Sequence, residues 1–242
     1  MKIKIYRGTH QIGGSAIEIS TASTRIILDF GNELSLDEKY TPIDLDIGGV
    51  TKGIPDCDGI VISHYHMDHL GQLTSVLPEV PLYMGELSKE VAVISTEYQD
   101  KNLYLRLLGA NTFRGGEAFT IGDIRIRPLV IDHSAADSYM FVIEAEGKHV
   151  LYTGDFRMHG LRHHILDQLV NTYIGEVDVL ITEGTSLSRD ADKYISEAAV
   201  LDDIFSYIQD GKYVFIMCSS TNIDRIMGIW QNMPTDKVLI CD

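Results

Sequence analysis

One run, Ser63-His64-Tyr65-His66-Met67-Asp68-His69, restricts what this chain can become more than any other stretch. The apolar segment Gly59-Ile60-Val61-Ile62 precedes it, and Gly71-Gln72-Leu73-Thr74-Ser75-Val76-Leu77, helical in pattern, follows it. The run therefore lies where a buried strand gives way to a helix. Alternate side chains of an extended segment share a face, so His64 and His66 point the same way and are placed to grip one metal ion. Asp68 and His69 fall where the chain turns into the helix, so they point differently, toward a second ion beside the first. Imidazoles and a carboxylate together suit Zn²⁺, with Mn²⁺ or Fe²⁺ as alternatives. A structural zinc finger needs paired cysteines and a zinc protease helix needs His-Glu-x-x-His; the sequence has neither. A single histidine at a strand end is more often an inert, hydrogen-bonded residue; this His-x-His-x-Asp-His cluster is a ligand set.

The net charge of -15 excludes binding to nucleic acid through bulk positive charge. A nucleic-acid substrate would need a local basic entrance or bound metal ions as its anion site, and such ions would offset part of the acidic excess. The three cysteines, Cys57, Cys218 and Cys241, are far apart and form no Cys-x-x-Cys pair. They indicate a reducing, cytoplasmic setting. The opening Met1-Lys2-Ile3-Lys4-Ile5-Tyr6 alternates as a strand does and lacks the continuous apolar core of a signal peptide. No apolar run approaches the length of a membrane span.

Strands are expected over Lys2–Arg7 and Ser15–Ser20, joined across Gly13-Gly14, and over Thr24–Leu28, ending in Asp29-Phe30-Gly31. Asn32 to Pro55 reads as a long surface loop. After the histidine run come a strand at Pro81–Met84, a helix over Leu87–Leu107, and strands at Ala118–Ile121 and Ile124–Ile131. Ser138–Ala145 and His149–Thr153 pair across Glu146-Gly147-Lys148. Then follow strand Asp178–Thr182, helix Ile195–Gln209, strand Tyr213–Cys218, helix Asn222–Gln231 and strand Lys237–Cys241, an alternation that predicts a parallel α/β layer.

The histidine run resembles the signature of the metallo-β-lactamase superfamily. Three further stretches are similar to its β-CASP nucleases, the ribonuclease J-like branch: Asp132-His133-Ser134-Ala135-Ala136-Asp137-Ser138, Tyr152-Thr153-Gly154-Asp155-Phe156-Arg157 and Ile181-Thr182-Glu183-Gly184-Thr185. Val214-Phe215-Ile216-Met217-Cys218-Ser219-Ser220-Thr221-Asn222-Ile223-Asp224-Arg225 resembles the opening of that branch's inserted domain. The resemblance implies an α+β fold, an αβ/βα sandwich followed by the start of a parallel α/β insert, with residues 1–190 as the first domain and 191–242 as the second. It implies that His133 completes one metal position with His64 and His66, and that Asp68 and His69 hold a second ion with Asp155 bridging the two. It implies two divalent ions, Zn²⁺ first, and a metal-bound hydroxide as nucleophile. Asp29 would brace a ligand imidazole, and Glu183 and Asp68 would take catalytic parts.

The family continues beyond the insert with a histidine for the second position, and this chain stops before it, as a protein cut inside its second domain would. Little hydrolytic activity is expected of this length alone. RNA or another phosphodiester is the expected substrate, with no membrane partner and with self-association into a homo-oligomer left open. A thioesterase- or lactonase-type hydrolase and a non-catalytic scaffold are the alternatives; the intact ligand set argues against the scaffold. Ser219, Ser220 and Thr221, between a strand and a helix, offer hydroxyls and free N–H groups to a phosphate, although plain helix capping explains them equally. Arg157, His159, Arg162, His163 and His164 form a basic cluster just after Asp155, and Arg157 is read as a substrate contact.

Overall fold

A computed structural model of the chain describes residues 1–34, 43–187 and 194–241. The expected 190/191 domain boundary and the 35–42 part of the Asn32–Pro55 loop lie outside the described residues. The first half builds a sheet from β1 (Lys2–Arg7), β2 (Ala16–Ser20), β3 (Arg25–Leu28), β4 (Gly59–Val61), β5 (Leu82–Gly85) and β6 (Asn111–Phe113), side by side in that order. Its helices are α1 (Met67–Leu70), α2 (Glu86–Thr96) and α3 (Lys101–Leu108). The second sheet runs β11-β10-β9-β8-β7, from β7 (Phe119–Ile121), β8 (Ile124–Ile131), β9 (Ser138–Ala145), β10 (Lys148–Tyr152) and β11 (Val179–Ile181), with α4 (Ile165–Leu169) between the last two strands. Two further helices follow, α5 (Glu197–Asp210) and α6 (Ile223–Gln231).

Strand periodicity sorts the core into layers. On β3, Ile26 and Leu28 face the second sheet while Ile27 faces the helical side; on β4 and just after it, Val61 and the pair Ile60 and Ile62 divide the same way. Phe141, Ile143 and Val150 answer from the second sheet, whereas Leu129, Met140 and Val142 turn outward against Leu169 of α4. Leu103 and Leu107 of α3 and Ala92 of α2 cover the outer face of the first sheet. Two sheets thus pack face to face with helices on both outer faces, the arrangement in which period-2 strands of both sheets are buried on both sides.

The topology gathers strand ends at one rim. β3 and β4 run parallel, as do β10 and β11, and β8 is antiparallel to β9, which is antiparallel to β10. Residues that follow β3, β4, β8, β10 and β11 therefore emerge together.

Three expectations need correction. The helix over Leu87–Leu107 is two helices, because the Asp100 carboxylate accepts the Asn102 and Leu103 N–H groups, each at 3.0 Å, and starts a new helix there. The helix after the histidine run starts earlier, at Met67, and is followed only by a 3₁₀ turn over Leu73–Ser75. Tyr213–Cys218 and Lys237–Cys241 form no ladder, and Phe215 and Met217 are fully exposed. Apolar, β-prone side chains make a strand only where a neighbour takes the backbone hydrogen bonds, and among the described residues these segments have none. What forms beyond residue 194 is the pair α5 and α6, joined through Leu201, Ile208 and Ile229.

Candidate metal centre

The rim brings the histidine run to His133 and Asp155. His66 Nδ1 stands 3.0 Å from His64 Nε2 and 3.1 Å from His133 Nε2. His69 Nε2 lies 3.2 Å from Asp155 Oδ1 and 3.7 Å from Asp68 Oδ2, and Asp155 Oδ2 lies 3.8 Å from His133 Nε2. Two groups of three ligand atoms are each mutually within 4.8 Å: His64, His66 and His133, and His64, His69 and Asp155.

Local geometry fixes the imidazoles. Asp29 follows β3 with φ of 56°, fully buried, and its Oδ1 accepts the Ser63 N–H at 2.7 Å. Its Oδ2 accepts the Ser63 hydroxyl at 2.8 Å and the Tyr152 hydroxyl at 2.5 Å. It also lies 2.7 Å from His69 Nδ1, which as an N–H donor leaves Nε2 facing Asp155. The Ser63 proton is committed to Asp29, so His64 Nδ1, 3.0 Å from Ser63 Oγ, is the donor of that contact. His64 Nε2 then carries a lone pair toward His66 and His133.

Such a set fits a divalent ion. Two ring nitrogens crowd His66 Nδ1, and one proton there would serve only one of them; a cation serves all three. Burial holds the His64 imidazole well below its ordinary range, with its histidine neighbours adding to the effect, and His66 is lowered too. His133 is pushed down to about 3, by burial first and by His66 and His69 in addition. Neutral imidazoles are the form that ligates. Burial opposes charge on His69 as well, but Asp29 and Asp155 outweigh it and hold that residue well above its usual range. Burial raises Asp68, while the hydrogen bond from His69 keeps Asp155 low in spite of burial.

The remaining expected residues fall elsewhere. Glu183 does not reach an imidazole: its carboxylate accepts the Phe156 and Thr185 N–H groups, at 3.3 and 3.1 Å, and so fixes the loop that follows Asp155. Arg157, expected to meet a phosphate, meets carboxylates instead, Asp132 at 2.9 Å and Glu197 at 3.3 Å, with its side chain 9% exposed. Arg162 is likewise taken, by Asp224 at 2.8 Å. The two arginines of the basic cluster are therefore paired where they stand. Ser219 and Thr221 bond each other through their hydroxyls at 2.8 Å, and the cap of α6 is Asn222, which accepts from Arg225 N. Tyr65, between two of the histidines, donates to the Thr221 carbonyl at 2.7 Å and accepts from Ala136 N at 2.9 Å, which sets that loop against the rim.

Ser63 and Tyr152 are the participants that pattern reading missed. Ser63 directly precedes the motif and Tyr152 ends β10, so alternation alone could have turned both inward. Asp132 precedes His133 and, as alternation requires, faces away from it, toward Arg157.

Residues 25–205 match the family described as the β-lactamase superfamily domain. The chain is 25% identical over 228 residues to an RNase J-like protein of Methanocaldococcus jannaschii, covering 88% of this chain and 50% of that one. It is 25% identical to ribonuclease J of Helicobacter pylori, covering 93% of this chain and 34% of the relative. It thus spans half or less of the length of these curated relatives. A crystal structure of a protein of unknown function from Enterococcus faecalis superposes with a TM-score of 0.80 at 21% identity, over 96% of this chain and 63% of the other, which shows the shared fold. Fold, rim and family match agree: the chain belongs to the metallo-β-lactamase superfamily, and the curated relatives it is similar to are ribonuclease J and an RNase J-like protein.

Proposed function

We propose that this chain carries the metal centre of a hydrolase that cleaves phosphodiesters, with RNA as the substrate. The observation that carries the reading is the convergence of four imidazoles and Asp155 at one rim. The names of the relatives, an RNase J-like protein and a ribonuclease J, support RNA. Two divalent ions, Zn²⁺ by preference, suit the donors: His64, His66 and His133 for one, Asp68 and His69 for the other, with Asp155 between them. When bound, such ions supply Lewis-acid polarisation and an activated water.

The chain's own groups do the rest. Asp29 holds His69 through Nδ1, and Ser63 holds His64 through its Nδ1. Asp68 Oδ2, 3.7 Å from His69 Nε2, would stand with that imidazole at the second ion and take a catalytic carboxylate's part. Glu183 acts as a positioning residue for the Asp155 loop. Three cysteines without disulfide partners support a reducing compartment, the cytoplasm. Among the described residues, no helix is long and apolar enough to cross a membrane.

The test is to supply the chain with Zn²⁺ or Mn²⁺ and offer end-labelled single-stranded RNA beside a thioester and lactone panel. Cleavage of RNA above that of the His64→Ala/His66→Ala double variant supports the reading. Turnover of the thioester or lactone alone overturns it in favour of a small-molecule hydrolase.

A further inference from the structure

We propose that Glu197 is a positioning residue for the metal centre, acting through Arg157 on the two loops that carry His133 and Asp155. The inference rests on the reading of the rim as a metal site. Asp132 immediately precedes His133 and is 1% exposed. Its carbonyl accepts Arg157 N at 2.8 Å, its Oδ1 accepts Arg157 Nε at 2.9 Å, and its Oδ2 accepts Arg162 N at 2.8 Å. The loop after Asp155 is thereby lashed to the residue beside His133. Gly160 permits the close approach, since a Cβ there would stand 2.2 Å from Asp132 Oδ1.

Arg157 does not stop at Asp132. Its Nη1 donates to Glu197 in the first turn of α5, and Glu197, 5% exposed, also accepts from Arg225 of α6 through Nε at 3.0 Å and Nη2 at 2.5 Å. The Glu197 N–H in turn donates to the His159 carbonyl at 2.8 Å. Arg157, Arg162 and Arg225 face Asp132, Glu197 and Asp224, so the positive and negative charges balance. Arg157, Asp132 and Glu197 are buried and the other three partly exposed, so removing the Glu197 carboxylate leaves the Arg157 guanidinium short of a buried partner, and it moves to find another. Arg157 then releases its grip on Asp132, and the spacing of His133 and Asp155 slackens. By linkage, metal at the rim and docking of α5 and α6 on the first unit stabilise each other.

Metal-stripped chain is titrated with Co²⁺, followed by its visible absorption. Glu197→Gln and Arg157→Met should each weaken Co²⁺ binding about tenfold, and the double variant should be no weaker than the poorer single variant, because both break one connection. Glu18→Gln is the control: it removes a buried partner of Arg25 at the opposite end of β3, so it should lower the unfolding midpoint yet leave Co²⁺ affinity unchanged. Wild-type affinity in Glu197→Gln, additive losses in the double variant, or an equal loss in Glu18→Gln overturns the proposal. Should the variants not fold, hydrogen exchange on the unaltered chain decides: Co²⁺ should slow exchange of the Glu197 amide, and no change sinks the inference. Failure of the unaltered chain to take up Co²⁺ at all is a different result and strikes the metal reading itself.

Discussion

Asp29 Oδ2 lies 2.7 Å from Nδ1 of His69, and the same oxygen accepts the hydroxyls of Ser63 and Tyr152. With the Ser63 N–H on Oδ1, every neighbour of this carboxylate is a donor. An amide there would present an NH₂ group to donors on one side. Asn tolerates the positive φ of 56° at this position as well as Asp does, so Asp29→Asn isolates the chemistry from the backbone. It should leave a folded chain of reduced stability, by about 1–3 kcal/mol for an unsatisfied buried donor, and weaken Zn²⁺ binding about tenfold or more. Competition with a chromophoric chelator reads the affinity; an unchanged value would remove Asp29 from the support of the site.

That pair also shows how far the sequence could be read. His64, His66, Asp68 and His69 were legible because they are local, and the period-2 split of Ile26, Ile27 and Leu28 between two cores follows from strand geometry alone. Asp29 and His133 were legible only through the family resemblance. Arg157 misled because charge in a sequence carries no partner: its carboxylates come from residues 132 and 197, which only the fold brings near. Tyr213–Cys218 misled for the opposite reason, since its side chains suit a strand but its backbone finds no neighbour among the described residues.

Gly31 is required by close approach rather than by its backbone angles. A Cβ there would fall 1.6 Å from the Asp68 carbonyl oxygen and 2.5 Å from His69 N. That oxygen already accepts the Gly14 and Ser15 N–H groups at 3.1 and 3.2 Å, so it has nowhere to go. Gly31→Ala should cost about 1–3 kcal/mol in urea unfolding and displace Asp68 and His69, weakening metal uptake. Gly48→Ala, where a Cβ meets nothing within 4 Å, should do neither. Equal midpoints for the two variants would contradict the packing at Gly31.

The three thiols should separate by reactivity. Cys57 is 6% exposed, and burial pushes its thiol up to about 11, whereas Cys218 is half-buried and Cys241 exposed. Only thiolate attacks a disulfide reagent. At pH 8 the folded chain should react quickly at Cys241 and Cys218, and at Cys57 only after unfolding. Rapid labelling of all three under native conditions would mean that the face of the first sheet against which Cys57 packs is not closed.

The two metal positions should differ in affinity within this chain. His64, His66 and His133 set three neutral nitrogens around one point, and Asp155 Oδ2, 3.8 Å from His133 Nε2, stands close enough to join them. That is a full tetrahedral complement before any water. His64 also falls within reach of His69 and Asp155, but its Nε2 lone pair serves one ion at a time. Once it is committed to the first, the second keeps His69, Asp68 and a share of Asp155. Water filling the gap brings no chelate advantage. The two dications also repel at short range, and the shared carboxylate offsets that only in part. Calorimetric titration of metal-stripped chain with Zn²⁺ should therefore resolve two phases whose dissociation constants differ by about tenfold or more, about 1.4 kcal/mol. His133→Ala should abolish the tight phase, and Asp68→Ala should abolish the weak one while sparing the tight. A single phase of two equal sites would show that the donors are pooled, and the division of His64 between them would be wrong.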